Sequence, residues 1–285
     1  MAMLLPSLGK KAAHRIATLF GSGSDGSTSA LLTPVQEHEL LALPRYVPGQ
    51  FSTAVGELNY VDACTFVVCA REIFEQRCYD FAGSGELIII DCGANIGLSS
   101  IWLALNYPGA VIEAYEADPS IHSALLRNIS SLGLEDRVHA HNQAIWTHQN
   151  GISFFCEGGA SGRAAETAHG NGALSAKQLV PSVTLAELLD RQAKIDLLKI
   201  DIEGAENHVL CDPAVDLSRV EHLFLEYHSF QDDPQMLPEI LSLLKANGFR
   251  FSIKEARVVA NPFTQSEVVD GMDFQLNIYA VRRAG

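Results

Sequence analysis

No apolar run in this chain of 285 residues approaches the roughly 20 needed to span a bilayer, so a transmembrane helix is not expected. Positive charge is scarce as well: 20 lysines and arginines stand against 34 aspartates and glutamates, a formal net charge of −14. Such a field repels phosphate backbones and anionic headgroups, and nucleic acid is not an expected partner. The six cysteines, Cys64, Cys69, Cys78, Cys92, Cys156 and Cys211, include no C-x-x-C pair and no zinc-like Cys/His spacing. They read as reduced thiols of a cytoplasmic protein. The start, Met1 to Phe20, mixes Lys10, Lys11, His14 and Arg15 into its apolar residues and reads as a surface helix, not a signal peptide.

What is present is an alternation. Residues 1–60 form an extension: the first helix, a flexible connector of glycine and serine at 21–29, and a loop-rich stretch with Pro34, Pro44 and Pro48. Residues 61–285 form the main domain, beginning with a helical cap at 61–85 in which a helix is expected from Cys69 to Phe81. From Leu87 onward, short apolar runs alternate with helical stretches, the signature of βαβ units and a parallel sheet in an α/β fold. Strands are expected at 87–91, 110–115, 138–142, 152–156, 195–200 and 222–226, and helices at 96–106, 119–132, 185–191 and 237–246. The last two strand-like runs, Phe249 to Lys254 and Phe274 to Val281, have no helical stretch between them and should pair antiparallel.

The segment IIIDCGANIGLSS, 88–100, carries a strand into Asp91, Gly93, Asn95 and Gly97 and then into a helix. Gly93 and Gly97 allow a sharp turn and a close backbone approach to a ligand, and the free N–H groups of the helix start favour an anionic group such as a carboxylate. The spacing is D-x-G-x-x-x-G and not the dinucleotide G-x-G-x-x-G; an acid at Asp91 would repel a pyrophosphate but accept hydrogen bonds from an ammonium. S-adenosylmethionine offers both an ammonium and a carboxylate. Glu116 lies about 20 residues further on, at the tip of the next strand, where a carboxylate can accept from both ribose hydroxyls. Glu113 and Asp118 are rivals, one short of the strand end and the other placed as a helix N-cap before Pro119.

In HNQAIW, 141–146, Asn142, Gln143 and Ala144 are the candidates for the adenine side, through side-chain amides or backbone N–H groups. Ligands of open parallel sheets sit outside the carboxyl ends of the strands, so Asp201 and Glu203 of KIDIEGAENHVL should share that crevice, with Asp201 also a candidate for the donor. Glu226 and His228 of FLEYHSF should join them. His228 and Asp201 are the first candidates for a general base that takes the proton of an acceptor hydroxyl, with Glu203 and Glu226 next. Asp201, Glu203, Glu226 and His228 could together hold Mg²⁺ or Mn²⁺.

The blocks IIIDCGANIGLSS, AYEADP, QAIW, the threonine-leucine pair of VTLAELL, DLLKIDIEGAENHVL and HLFLEYH, in this order, resemble the FkbM family of methyltransferases over residues 62–282. The resemblance implies a Rossmann-like class I methyltransferase fold, a seven-stranded mostly parallel sheet with its last strand antiparallel and helices on both faces. It also implies O-methylation of a small hydroxylated acceptor, a sugar, polyketide or other metabolite, with S-adenosylmethionine as donor. Two positions depart from the family pattern, Ala186 where an acid is common and Tyr115 where phenylalanine is usual. A nicotinamide-dependent oxidoreductase and a non-catalytic nucleoside-binding module are the rival readings. Oligomeric state, a homodimer included, is left open.

Overall fold

A computed structural model describes residues 30–156, 162–164, 176–258, 263–264 and 271–282. The expected first helix (1–20), the connector (21–29) and the loop 157–174 apart from 162–164 lie outside the described residues. No helix among the described residues is long and apolar enough to cross a membrane.

The proline-bearing segment before residue 60, expected as loop, contains helix α1 (Pro34–Leu41) and a hairpin of β1 (Gly49–Ser52) and β2 (Glu57–Tyr60). Pro34 sits at the start of α1, where a missing N–H costs nothing, and Thr33 and Gln36 form a reciprocal capping box. The next helix also begins earlier than its apolar pattern suggests. Asp62 accepts from the Thr65 N–H and starts α2 (Ala63–Ala70), which runs into a wide π turn at Arg71–Glu75. The helix does not continue to Phe81, because Arg77 takes a positive φ of 53°.

Beyond this cap the alternation unfolds as expected. β3 (Leu87–Cys92), α3 (Leu98–Asn106), β4 (Ala110–Tyr115), α4 (Pro119–Ser131) and β5 (Val138–His141) follow one another. Two small sheets are added: β6 (Ala144–Trp146) pairs parallel with β10 (Ser182–Thr184), and β7 (Ile152–Cys156) lies between β8 (Gly162–Ala164) and β9 (Ala176–Val180). Then come α5 (Leu185–Asp190), β11 (Ile195–Ile200), α6 (Glu206–Leu210), β12 (Val220–Phe230), α7 (Leu237–Ala246), β13 (Phe249–Val258) and β14 (Met272–Arg282). The main sheet has seven strands in the order β13-β14-β12-β11-β3-β4-β5, and β14 runs antiparallel to both neighbours.

Strand periodicity divides the apolar residues into two cores. Ile89 of β3, Leu197 of β11 and Phe224 of β12 pack with α1 to α4 on one face. Ile90, Leu198 and Leu223, each next to one of these along its strand, pack with α5, α6 and α7 on the other. The chain leaves β3 toward β4 and β5 on one side and returns through β11 and β12 on the other, so a crevice opens at the carboxyl edge between β3 and β11.

The cap is tied down at Asp62, which is 1% exposed and accepts from Arg45 Nε, Tyr46 N and both Thr65 donors. Burial alone would raise this carboxyl, but the Arg45 guanidinium and the surrounding N–H and hydroxyl donors hold it at about 2. Asp62→Ala should cost about 2 kcal/mol through loss of the cap and its partners. Because the folded carboxyl titrates below its unfolded value, that difference is present in full above about pH 4 and vanishes as the pH falls toward 2. Urea melts of both proteins across that range measure it.

Candidate active site

The floor of the crevice follows from strand register. Lys199 of β11 stands directly opposite Asp91 of β3, and the alternation that turns Leu198 to one core turns Lys199 to the other face with Asp91, Glu226 and His228. Asp91 is fully buried; its Oδ2 accepts from Ser99 Oγ at 2.5 Å and Ser100 Oγ at 2.7 Å. Lys199 is 2% exposed, and its Nζ lies 3.1 Å from Asp91 Oδ1 and 3.3 Å from Asp201 Oδ2 while donating to Gly93 O at 2.8 Å. Burial would lower this ammonium's pKa, and the charges of Asp91 and Asp201 more than reverse that, raising it. Asp91, expected to face a ligand's ammonium, turns its oxygens to these partners and lines neither of the two cavities described below.

The turn after β3 holds Gly93, Asn95 and Gly97 at positive φ, 84°, 51° and 93°. A Cβ on Gly93 would lie 1.7 Å from the carbonyl oxygen of Asp201, so β3 and β11 can meet here only because the side chain is missing. The Gly93 and Ala94 N–H groups donate to Tyr115 O, which carries the turn to the end of β4. There Glu116 accepts from Asn95 N at 2.9 Å and from Asp118 N at 2.8 Å. Its burial pushes the carboxyl up to about 7, against the pull of those two N–H groups. The rival acids are occupied elsewhere: Glu113 pairs with His139 and His141, and Asp118 caps α4.

Glu116 lines a small cavity of about 80 Å³ whose walls include Tyr115, Gln143, Ala144, Trp146 and Ile202. Asn142 is outside that lining; its amide donates to the carbonyls of Glu116 and Ala117 and braces the end of β5 against the loop after β4.

A larger cavity of about 590 Å³ opens on the other side of the glycine turn and shares Gly93, Asn95, Asp201 and Glu203 with the small one. Its floor holds Asp201, Glu203, Glu226 and His228, with residues of α2 and the π turn, Glu72 among them, as a wall. His228 is 2% exposed, with Nδ1 3.1 Å from Glu206 Oε1 and Nε2 3.6 Å from Glu203 Oε2. Desolvation pulls this imidazole down, but the carboxylates of Glu206 and Glu203 raise it to about 10, so it is cationic at neutral pH. Glu226 is pushed up to about 8 by burial and by the charges of Asp201 and Glu203, and the Gln275 amide lies against it. Candidate ligand atoms of Asp201, Glu203 and His228 all lie within 4.8 Å of one another; Glu226 is not part of that group.

The expected acids and the imidazole therefore meet in one crevice, but Lys199 and Glu206 sit among them as partners that strand-end reasoning passes over. A lysine inside the apolar run IDLLKI is the visible signal for the first. Glu206, fully buried and accepting from the N–H groups of Ile202 and Gly204, carries no signal that separates it from the acids around it.

Comparison with known proteins gives the following likenesses. Residues 91–251 match the family described as Methyltransferase FkbM domain. Methyltransferase sdnD of Sordaria araneosa is 28% identical over 224 residues, 68% of this chain and 86% of that protein. The 31-O-demethyl-FK506 methyltransferase FkbM of Streptomyces tacrolimicus is 27% identical over 213 residues, 63% of this chain and 80% of that one. Among solved structures, Methyltransferase FkbM of Methylobacillus flagellatus is similar at 15% identity and a TM-score of 0.45, covering 95% of this chain and 58% of that chain.

Gly93→Ala should force β3 and β11 apart at the turn. A loss of about 2 kcal/mol or more in denaturant unfolding is expected, and unchanged stability would mean that the strand ends are not in contact there.

Proposed function

Because the chain belongs to the FkbM methyltransferase family, we propose that it transfers a methyl group from S-adenosylmethionine to a hydroxyl of a small metabolite. The observation that carries this reading is the pair of cavities meeting at Gly93, Asn95, Asp201 and Glu203, a small one with the buried Glu116 carboxyl among apolar walls and a larger one floored by carboxylates. The residues present fit the donor. Glu116 is a buried carboxylate whose oxygens each take one backbone N–H and keep capacity for a ribose hydroxyl. Tyr115, Ile145, Trp146 and Ile202 give the small cavity flat apolar walls for a purine, with Gln143 and Ala144 at its edge. The family rules out the oxidoreductase and the non-catalytic module as leading readings, and the O-linked acceptor is supported by the relative named for a 31-O-demethyl substrate.

When bound, the donor supplies a methyl group on a sulfonium, open to in-line displacement. The chain then has to hold the acceptor in the larger cavity and remove its hydroxyl proton. Asp201, on the boundary of both cavities, is the group placed to do so; His228, held as an imidazolium by Glu206 and Glu203, can serve as the base only after losing its own proton, and with Glu203 and Glu226 it orients the hydroxyl. The close approach of Asp201, Glu203 and His228 favours a second version, in which these three would hold Mg²⁺ or Mn²⁺, an ion that would supply Lewis acidity to the acceptor hydroxyl. His228 would then have to give up its extra proton and offer Nε2, with Glu206 holding Nδ1.

Titration calorimetry should show S-adenosylhomocysteine binding at micromolar levels and NAD not binding. Glu116→Gln should weaken that binding about tenfold or more, about 1.4 kcal/mol. Ribose hydroxyls donate to the ionised carboxylate, so wild-type affinity should rise as the pH passes upward through about 7 and level off above it, while the variant stays flat. Mass spectrometry of hydroxylated metabolites incubated with methyl-labelled donor identifies the acceptor. With an acceptor in hand, loss of turnover in EDTA and recovery with Mg²⁺ or Mn²⁺ would support the ion; insensitivity to EDTA would assign the proton to a side chain.

A further inference from the structure

Lys199 belongs to no role derived so far, yet it is the most costly side chain in the sheet to bury. An ammonium taken out of water loses several kcal/mol unless its partners and geometry repay it. Its three acceptors come from three separate pieces of the crevice: Asp91 at the end of β3, the Gly93 carbonyl inside the turn, and Asp201 just past the end of β11. The ammonium donates to the Gly93 carbonyl and is ion-paired with both carboxylates. The clamp extends one step further, because Asp91 also takes the hydroxyls of Ser99 and Ser100 in the first turn of α3. One charge thereby links both central strands, the glycine turn and the helix start. Gly93 and Asp201, which line both cavities, are the groups it holds directly.

We infer that Lys199 is the positioning residue of the donor cleft, presetting the Gly93 turn and the Asp201 carboxylate so that the donor's amino-acid end meets a finished surface. This rests on the methyl-donor reading above. Lys199 acts through its partners: it borders the larger cavity but is 2% exposed, and its ammonium is turned to Gly93 O, Asp91 and Asp201. Ordering the turn before binding removes that cost from the binding step. Arginine keeps the charge opposite Asp91, but its planar fork cannot direct donors at three acceptors arranged around one point.

The test uses the full chain and S-adenosylhomocysteine as the probe. Lys199→Arg, which keeps Asp91 paired, and the charge-balanced pair Asp91→Asn with Lys199→Met are compared with wild type by thermal melting, calorimetry and amide exchange without ligand. The expected result is that folded variants bind the probe at least tenfold more weakly. In the ligand-free variants the Gly93 and Ala94 amides, which donate to Tyr115 O in the wild type, should also exchange faster while the core strands stay protected. A folded variant that binds within twofold of wild type and keeps those amides protected would overturn the inference. So would failure of every variant to fold, which would make Lys199 a structural residue. Absence of binding by the wild type itself would instead remove the methyl-donor reading.

Discussion

A carboxylate and an ammonium facing each other on adjacent central strands are stable in a dry interior only together. Asp91 and Lys199 are such a pair, 3.1 Å apart, and the carboxyl edge of the sheet is organised around them. The serines at the head of α3 are turned inward to complete Asp91, and the glycine turn is folded so that its carbonyl reaches Lys199. Asp201 is drawn to the seam between the strands. The same packing leaves no room for a Cβ at Gly93. A rigid seam here means that the surface above it is shaped before any ligand arrives.

Around that seam the charge is unbalanced. Asp201, Glu203, Glu206 and Glu226 crowd two buried cations, His228 and the Lys199 that Asp91 also claims, and the carboxyl of Glu226 responds by holding its proton to about 8. A crevice with surplus negative charge suits a sulfonium donor that also carries an ammonium, a divalent ion, or both. It suits phosphorylated acceptors poorly, in keeping with the −14 of the whole chain. The two cavities differ in polarity: apolar side chains wall much of the smaller one, and carboxylates gather on the floor of the larger.

Much of this was legible along the chain. The change from strand to turn to helix at 88–100 and the missing helix between the last two strands are local patterns, and the sheet and its antiparallel β14 follow them. Glu116 could be singled out because its rivals had other readings, N-cap for Asp118 and an inner strand position for Glu113. The helix at Pro34 was also written locally, as Thr33-Pro34 with Gln36, but three prolines in one stretch resemble loop more strongly than one capping box resembles helix.

What sequence alone determined, then, were the elements, their order and the residues at strand ends, because turn chemistry and the periods of strand and helix act within a few residues. Which side chains face each other was decided by the tertiary structure. Lys199 meets Asp91 across more than a hundred residues only because β11 lies beside β3 in one particular register, and a slip of one residue would send it into the opposite core. The same long-range register turns Asp91 away from the cavities, spends the Asn142 amide on backbone carbonyls, and puts Glu206 behind His228. Spacing along a chain does not carry that information, since it arises from neighbours that only folding brings together.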